Sequence, residues 1–231
     1  MERPFDEELK ILKEELLEMA SLAEESILLA VKCLKERREE LAADVMRGEE
    51  KINHMEIEID ELCMRLLALR QPMATDLRFI TSALKISSDL ERIGDQSVNI
   101  IERTIDLLKV PQLKPLIDIP RMADLAQNMV RDAISAFIKR DDCLARAVCE
   151  RDDEVDQLND QIFRELLTYM MQDVTTITRA VDLVLVGRHL ERIADHATNI
   201  GEDVIYMVKG KSIKHHIEAY GPTCDIPPAK K

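Results

Sequence analysis

The sequence predicts an all-α protein of two tandem, sequence-related three-helix bundles, six long antiparallel helices in all. Three observations carry this. Residues 90–100 read LERIGDQSVNI and residues 190–200 read LERIADHATNI, identical at seven of eleven positions at an offset of 100. Self-similarity of that length marks an internal duplication. Apolar residues recur at helical spacing along most of the 231 residues. Aromatics are only 3%, with no Trp, six Gly and eight Pro; Leu, Ile, Glu and Met dominate, the mixture of long helices packed by aliphatic side chains.

The first helix covers 5–35, with Leu9, Leu12, Leu16, Met19, Ala23, Ile27, Ala30 and Leu34 on one stripe. The polar run KERREE places a tight turn near 36–38. The second helix runs from 38 to 69, and Gly48 inside it marks a kink or a close approach. Gln71-Pro72 ends it, because proline disfavours helix in the residue before it and suits the start of the next. The third helix, 73–109, carries the first LERI phrase. Three prolines in VPQLKPLIDIP, 110–120, mark the linker between halves. A fourth helix follows over 119–139, with Asp141-Asp142 as an N-cap region for a fifth over 142–170. The sixth, 174–209, carries the second phrase and stops at Gly210. The domains expected are therefore 1–112, 113–210 and an irregular tail, 211–231, whose His215 and His216 read as incidental.

Wound on a helix at about 100° per residue, Glu91, Asp95 and Glu102 fall within about 40° of one another, with Asn99 at the edge. Leu90, Ile93, Ile100, Ile101 and Ile105 form a separate apolar stripe, and Arg92 and Arg103 fall elsewhere. The same face in the second copy holds Glu191, Asp195, Asn199 and Glu202. Like charges four residues apart destabilise a helix, so the pattern calls for a counter-charge, and a hard cation is the obvious one. With 45 acidic residues in the chain, one such pair is usually a solvated face; two copies inside a duplicated phrase single it out. The duplication also extends upstream. GEEKINHMEIEI at 48–59 aligns with RDDEVDQLNDQI at 151–162 at an offset of 103. Glu49 and Asn53 in one half then match Asp152 and Asp156 in the other. Antiparallel packing of the second and third helices of each half brings these sets together as cation cages. The first is expected to be weaker by one charge because Asn53 replaces a carboxylate. Arg92 and Arg192 are expected to pair with acidic neighbours on an adjacent helix.

A net charge of −13 argues against nucleic acid and anionic membranes as partners and favours basic surfaces and cations. No apolar stretch approaches the length of a membrane span, and the acidic N-terminus lacks a signal-peptide pattern. Five cysteines, an odd number without a CxxC, do not suggest a disulfide framework, which fits a cytoplasmic setting, and Cys33, Cys63 and Cys149 in helical patterns read as core or incidental thiols.

The two LERI[GA]D copies resemble the PhoU family of phosphate-uptake regulators. GEEKINHMEIEIDELC at 48–63, RQPMATDLR at 70–78, LLTYMMQD at 166–173 and GEDVIYMVKG at 201–210 extend the resemblance over most of residues 5–210. It implies two similar three-helix bundles and acidic motifs that bind metal, iron or zinc above all, with manganese and magnesium as other options. Those motifs fall on Glu49 and Asn53, Glu91 and Asp95, Asp152 and Asp156, Glu191 and Asp195. It further implies a cytoplasmic homodimer that is no enzyme. Such a protein regulates phosphate uptake and starvation signalling negatively, connecting the phosphate transporter, through its ATPase PstB, to the sensor kinase PhoR.

Two other classes stand beside this adaptor. A di-metal carboxylate enzyme or metal-storage bundle needs Glu-x-x-His pairs, and no His here has Glu three residues before it. A purely structural helical dimer, with the acidic phrase as ornament, would gain no stability from metal.

Overall fold

The computed structural model describes residues 4–211; the expectations for the tail beyond them lie outside the described residues. Seven α-helices follow in order: α1 Pro4–Glu36, α2 Glu40–Arg70, α3 Ala74–Leu108, α4 Asp118–Lys139, α5 Asp142–Glu150, α6 Asp152–Gln172 and α7 Ile177–Lys209. A short 3₁₀ turn, Val174–Thr176, precedes α7. There are no strands among the described residues.

The punctuation follows local chemistry. Arg37 (φ 55°) and Gln71 (φ 47°) take left-handed conformations where α1 and α2 end. Asp141 caps α5, accepting from the backbone N–H groups of Cys143 and Leu144 at 3.0 Å each. Gly210 (φ 70°) closes α7 with its N–H on Tyr206 O at 2.8 Å, where a side chain would be strained.

One expected helix is broken. The span 142–170 divides at Arg151 into α5 and α6. The Arg151 guanidinium turns back to Ala147 O (3.2 Å) and to Asp132 on α4 (2.6 Å). Asp152, Asp153 and Glu154 then fill the first turn of α6, where negative charge meets the positive end of the helix dipole. At the equivalent place in the first half stands Gly48, and α2 runs through unbroken. A Cβ there would lie 2.9 Å from Ser26 Oγ, so this glycine marks a close approach of α1.

α1, α2 and α3 form one bundle; α4, the α5–α6 pair and α7 form the other. The bundles join along two antiparallel seams, α3 on α7 and α1 on α4, and one continuous apolar core runs through both. Along the first seam Arg78 donates to Met207 O (3.0 Å), Lys85 pairs with buried Asp203 (2.9 Å), and Arg103 approaches Asp182 (3.9 Å). At its centre Asp89 meets His196 and Gln96 meets His189, each at 2.9 Å. The 100-residue offset carries Asp89 onto His189 and Gln96 onto His196, so these contacts are two copies of one contact about a pseudo-two-fold axis. On the second seam Gln127 donates to Glu24 O at 3.0 Å, and these positions are equivalent at the 103-residue offset. Phe79 of α3 stacks on Phe137 of α4, centroids 4.6 Å apart.

The proline-rich linker is strapped down. Arg37 donates to the carbonyls of Leu108 (2.7 Å) and Val110 (2.8 Å), Arg179 donates to Pro111 O (3.0 Å), and buried Lys114 pairs with Glu165. Cys33, Cys63 and Cys149 are buried free thiols, as expected. Cys143 is disulfide-bonded, which an odd set of cysteines without a CxxC did not announce.

Candidate functional site

The acidic motifs sit midway along α3 and α7, each facing the helix that precedes it in the chain. In the first half Glu49 and Asn53 on α2 face Glu91 and Asp95 on α3. Asn53 donates to Glu49 at 2.5 Å, and its Oδ1 is buried without a hydrogen bond among the described residues. Glu91 is half-buried, and its carboxyl is raised by desolvation first, then by the charge of Asp95 and, more weakly, of Glu56 and Glu49.

In the second half Asp152 and Asp156 on α6 face Glu191 and Asp195 on α7. Desolvation pushes the Asp152 carboxyl up to about 6, with Asp195 and Asp156 adding repulsion. Asp156 and Glu191 are also raised, first by desolvation and next by Asp195 and Asp156 respectively. Asp195 is raised by desolvation, opposed by His196 and Arg192. The Thr198 hydroxyl on the same helix reaches the Asp152 carboxyl and opposes its rise. The structure thus brings together both sets of four residues named from the sequence.

It also corrects the charge count. Glu56 repels Glu91, and Asn159 donates to Glu191 at 3.0 Å. Glu56 and Asn159 are equivalent at the 103-residue offset, so each half carries two carboxylates and one amide on the second helix of its groove. The amide is second in Glu49, Asn53, Glu56 and third in Asp152, Asp156, Asn159. Over these three positions the two grooves carry equal charge, while Asp160, whose counterpart is Ile57, adds repulsion at Asp156 in the second. Both residues were readable as a continuation of the i,i+4 pair by three more positions, one helical turn.

The difference between the grooves lies in the arginines. Arg92 lies 3.4 Å from Glu91 and 3.7 Å from Asp95, on its own helix and not on a neighbour as expected. Among the described residues Arg192 makes no ion pair within 4 Å, although its charge still lowers Glu191 and Asp195. Of the outer residues, Glu102 is turned to Arg103 (3.5 Å) and Asn199 to Asp89 (3.5 Å), so neither completes a cage; Asn99 and Glu202 are half-buried on the same helices.

Among the described residues no three Asp, Glu, His or Cys side chains are gathered tightly enough to hold a metal ion. The donor set nevertheless suits a hard cation: all-oxygen, acidic beyond its local compensation, and flanked in the first groove by the unbonded buried Oδ1 of Asn53.

The PhoU domain family model matches residues 16–104 and again 119–204, one copy in each bundle. This chain belongs to the PhoU family. A phosphate-specific transport system accessory protein PhoU homolog of Aquifex aeolicus is 45% identical over 215 residues, 93% of this chain and 97% of that protein. One of Pseudomonas putida is 42% identical, over 91% of this chain and 83% of that protein. The crystal structure of PhoU from Pseudomonas aeruginosa superposes with a TM-score of 0.86 at 40% identity, over 90% of this chain and all (100%) of that one. The phosphate transport system regulatory protein PhoU from Streptococcus pneumoniae gives 0.82 at 29% identity, over 90% of this chain and 98% of that one. These PhoU proteins are named as accessory or regulatory proteins, not enzymes, as the sequence reading expected. No helix of the described residues is long and apolar enough to cross a membrane.

Proposed function

We propose that this chain is a non-enzymatic regulator of phosphate uptake and phosphate-starvation signalling. It acts negatively, in the cytoplasm, as a homodimer that links the phosphate transporter, through its ATPase PstB, to the sensor kinase PhoR. The names borne by its relatives support the transport role. Its own residues support cation binding. Glu49, Asn53, Glu56, Glu91 and Asp95 would hold a cation in one groove. Asp152, Asp156, Glu191 and Asp195 would hold one in the other, iron or zinc first and manganese or magnesium next. A bound cation supplies positive charge between two helices that otherwise repel. The observation that carries this reading is the duplicated set of desolvated carboxylates, raised by one another in both halves.

The test is elemental analysis of protein purified without chelator or metal-affinity resin, beside the Glu191→Gln, Asp195→Asn variant. Stoichiometric metal that falls in the variant supports the reading. Equal background in both removes the cation from it.

A further inference from the structure

We propose that Cys143 and Cys224 form a thiol–disulfide exchange site, through which oxidation fastens the C-terminal tail to the start of α5 and reduction releases it. The co-reactant is a low-molecular-weight disulfide. The inference uses neither the acidic grooves nor the regulatory reading above, and it stands or falls apart from them.

The pairing follows by elimination. The chain has five cysteines. Cys143 is disulfide-bonded, while Cys33, Cys63 and Cys149 are free and buried. Cys224 is the one that remains. Cys149, in any case, is no alternative. It stands six residues further along α5, about 9 Å up the axis and on another face, beyond the reach of a disulfide. The pair also lies outside the duplication. The position equivalent to Cys143 at the 103-residue offset is Glu40, and Cys224 follows the second PhoU match, which ends at 204.

The fold brings the two ends together. Lys209, in the last turn of α7, pairs with Asp142 in the first turn of α5 at 3.0 Å. α7 stops at the next residue, Gly210, so the chain leaves α7 beside Cys143. Residues 211–223 then separate Gly210 from Cys224. That length can span up to about 45 Å, ample for a return to the residue next to Asp142. A tether this short presents its thiol at about millimolar effective concentration. The Cys143 of a second copy competes only at the concentration of the protein itself.

Access separates this pair from the other thiols. Cys143 is half-buried, one residue inside the start of α5. Burial pushes the Cys63 and Cys149 thiols up to about 12 and raises that of Cys33, which keeps all three protonated and unreactive. A disulfide that solvent thiols can reach is of the labile kind.

In the oxidising direction the Cys143 thiolate attacks one sulfur of the small disulfide RS–SR. The S–S bond breaks, RS⁻ leaves, and a mixed disulfide forms on Cys143. The Cys224 thiolate then attacks the Cys143 sulfur and expels the second RS⁻. Two protein thiols are oxidised, one RS–SR is reduced to two RSH, and the protons from the cysteines pass to the two RS⁻ groups.

The test uses the full chain beside Cys143→Ser and Cys224→Ser. Circular dichroism checks folding, and Cys224→Ser, which lies beyond both bundles, keeps the test open if Cys143→Ser fails to fold. Each protein is equilibrated in graded mixtures of reduced and oxidised glutathione. Free thiols are alkylated in denaturant, and tryptic peptides are mapped by mass spectrometry. The expected result is peptide 141–146 joined to peptide 215–230. The joined fraction falls about tenfold or more from the most oxidising mixture to the most reducing one. It is absent from both variants, and Cys33, Cys63 and Cys149 are alkylated throughout. No joined peptide in oxidised glutathione, a link between the Cys143 residues of two chains on a non-reducing gel, or a link that excess reduced glutathione fails to open would each overturn the inference.

Discussion

Asn159 reaches across from α6 to donate its amide to Glu191 at 3.0 Å. The same position in the first half is Glu56, which repels Glu91 instead. One amide and two carboxylates thus occur in each groove in a different order, and over these three positions the grooves match in charge. What separates them is Arg92, held 3.4 Å from Glu91 and 3.7 Å from Asp95.

Arg92→Gln is expected to tighten cation binding in the first half by about two- to fivefold, the scale of one exposed ion pair. The measurement is a calorimetric titration with Mn²⁺ in the background of Glu191→Gln, Asp195→Asn, which leaves only the first groove. An unchanged affinity would show that the arginine already swings clear.

In otherwise unaltered protein, Glu191→Gln with Asp195→Asn is expected to cost more cation affinity than Glu91→Gln with Asp95→Asn. In the second groove Arg188 and Arg192 act on the carboxylates only from beyond ion-pair distance. Equal losses in parallel titrations would count against that account.

Metal-free protein is expected to lose stability as pH rises from about 4 to 6. Asp152 holds its proton more tightly folded than unfolded, its pKa raised from 3.8 to about 6. Its contribution is complete below the lower value and gone above the higher. With solvent screening of a half-exposed group, about 1–2 kcal/mol is expected. Urea melts across this range, with chelator present, should show the slope, and Asp152→Asn should flatten it.

Gly201→Ala is expected to destabilise the second bundle by about 1–3 kcal/mol, the range for overpacking. A Cβ there would sit 3.0 Å from both Ala145 O and Cys149 Sγ, and the carbonyl belongs to backbone that cannot step aside. Gly48→Ala should cost less, because it meets only the rotatable Ser26 hydroxyl while gaining helix propensity. Thermal melts of the two variants side by side check the order.

Much of this was legible in the sequence because helices declare themselves locally. The periodic aliphatic stripes gave the helix spans within a few residues, and Asp141, Gln71-Pro72 and Gly210 stood where the chain turns. The break at Arg151 was not expected, since no Gly or Pro marks it; its cause is a tertiary contact with Asp132. The acidic run Asp152-Asp153-Glu154 was the available sign of a new helix start. Arg92 was misplaced because helical angles locate Cβ atoms, while a long guanidinium stem reaches carboxylates one and three residues away. The α3–α7 seam left no local trace at all, for it depends on side chains about 100 residues apart.

That seam also has a history written in it. A contact in which Asp89 meets His196 while their counterparts His189 and Gln96 repeat it is the contact a half-length chain makes with its own twin. The protein reads as such an ancestor, once paired with itself, later fused head to tail through a short linker. Fusion ended the obligation of the halves to stay identical. The migrating amide of Asn53 and Asn159, the solitary reach of Arg92 and the broken helix at Arg151 are differences that a true pair of identical chains could never have acquired one side at a time.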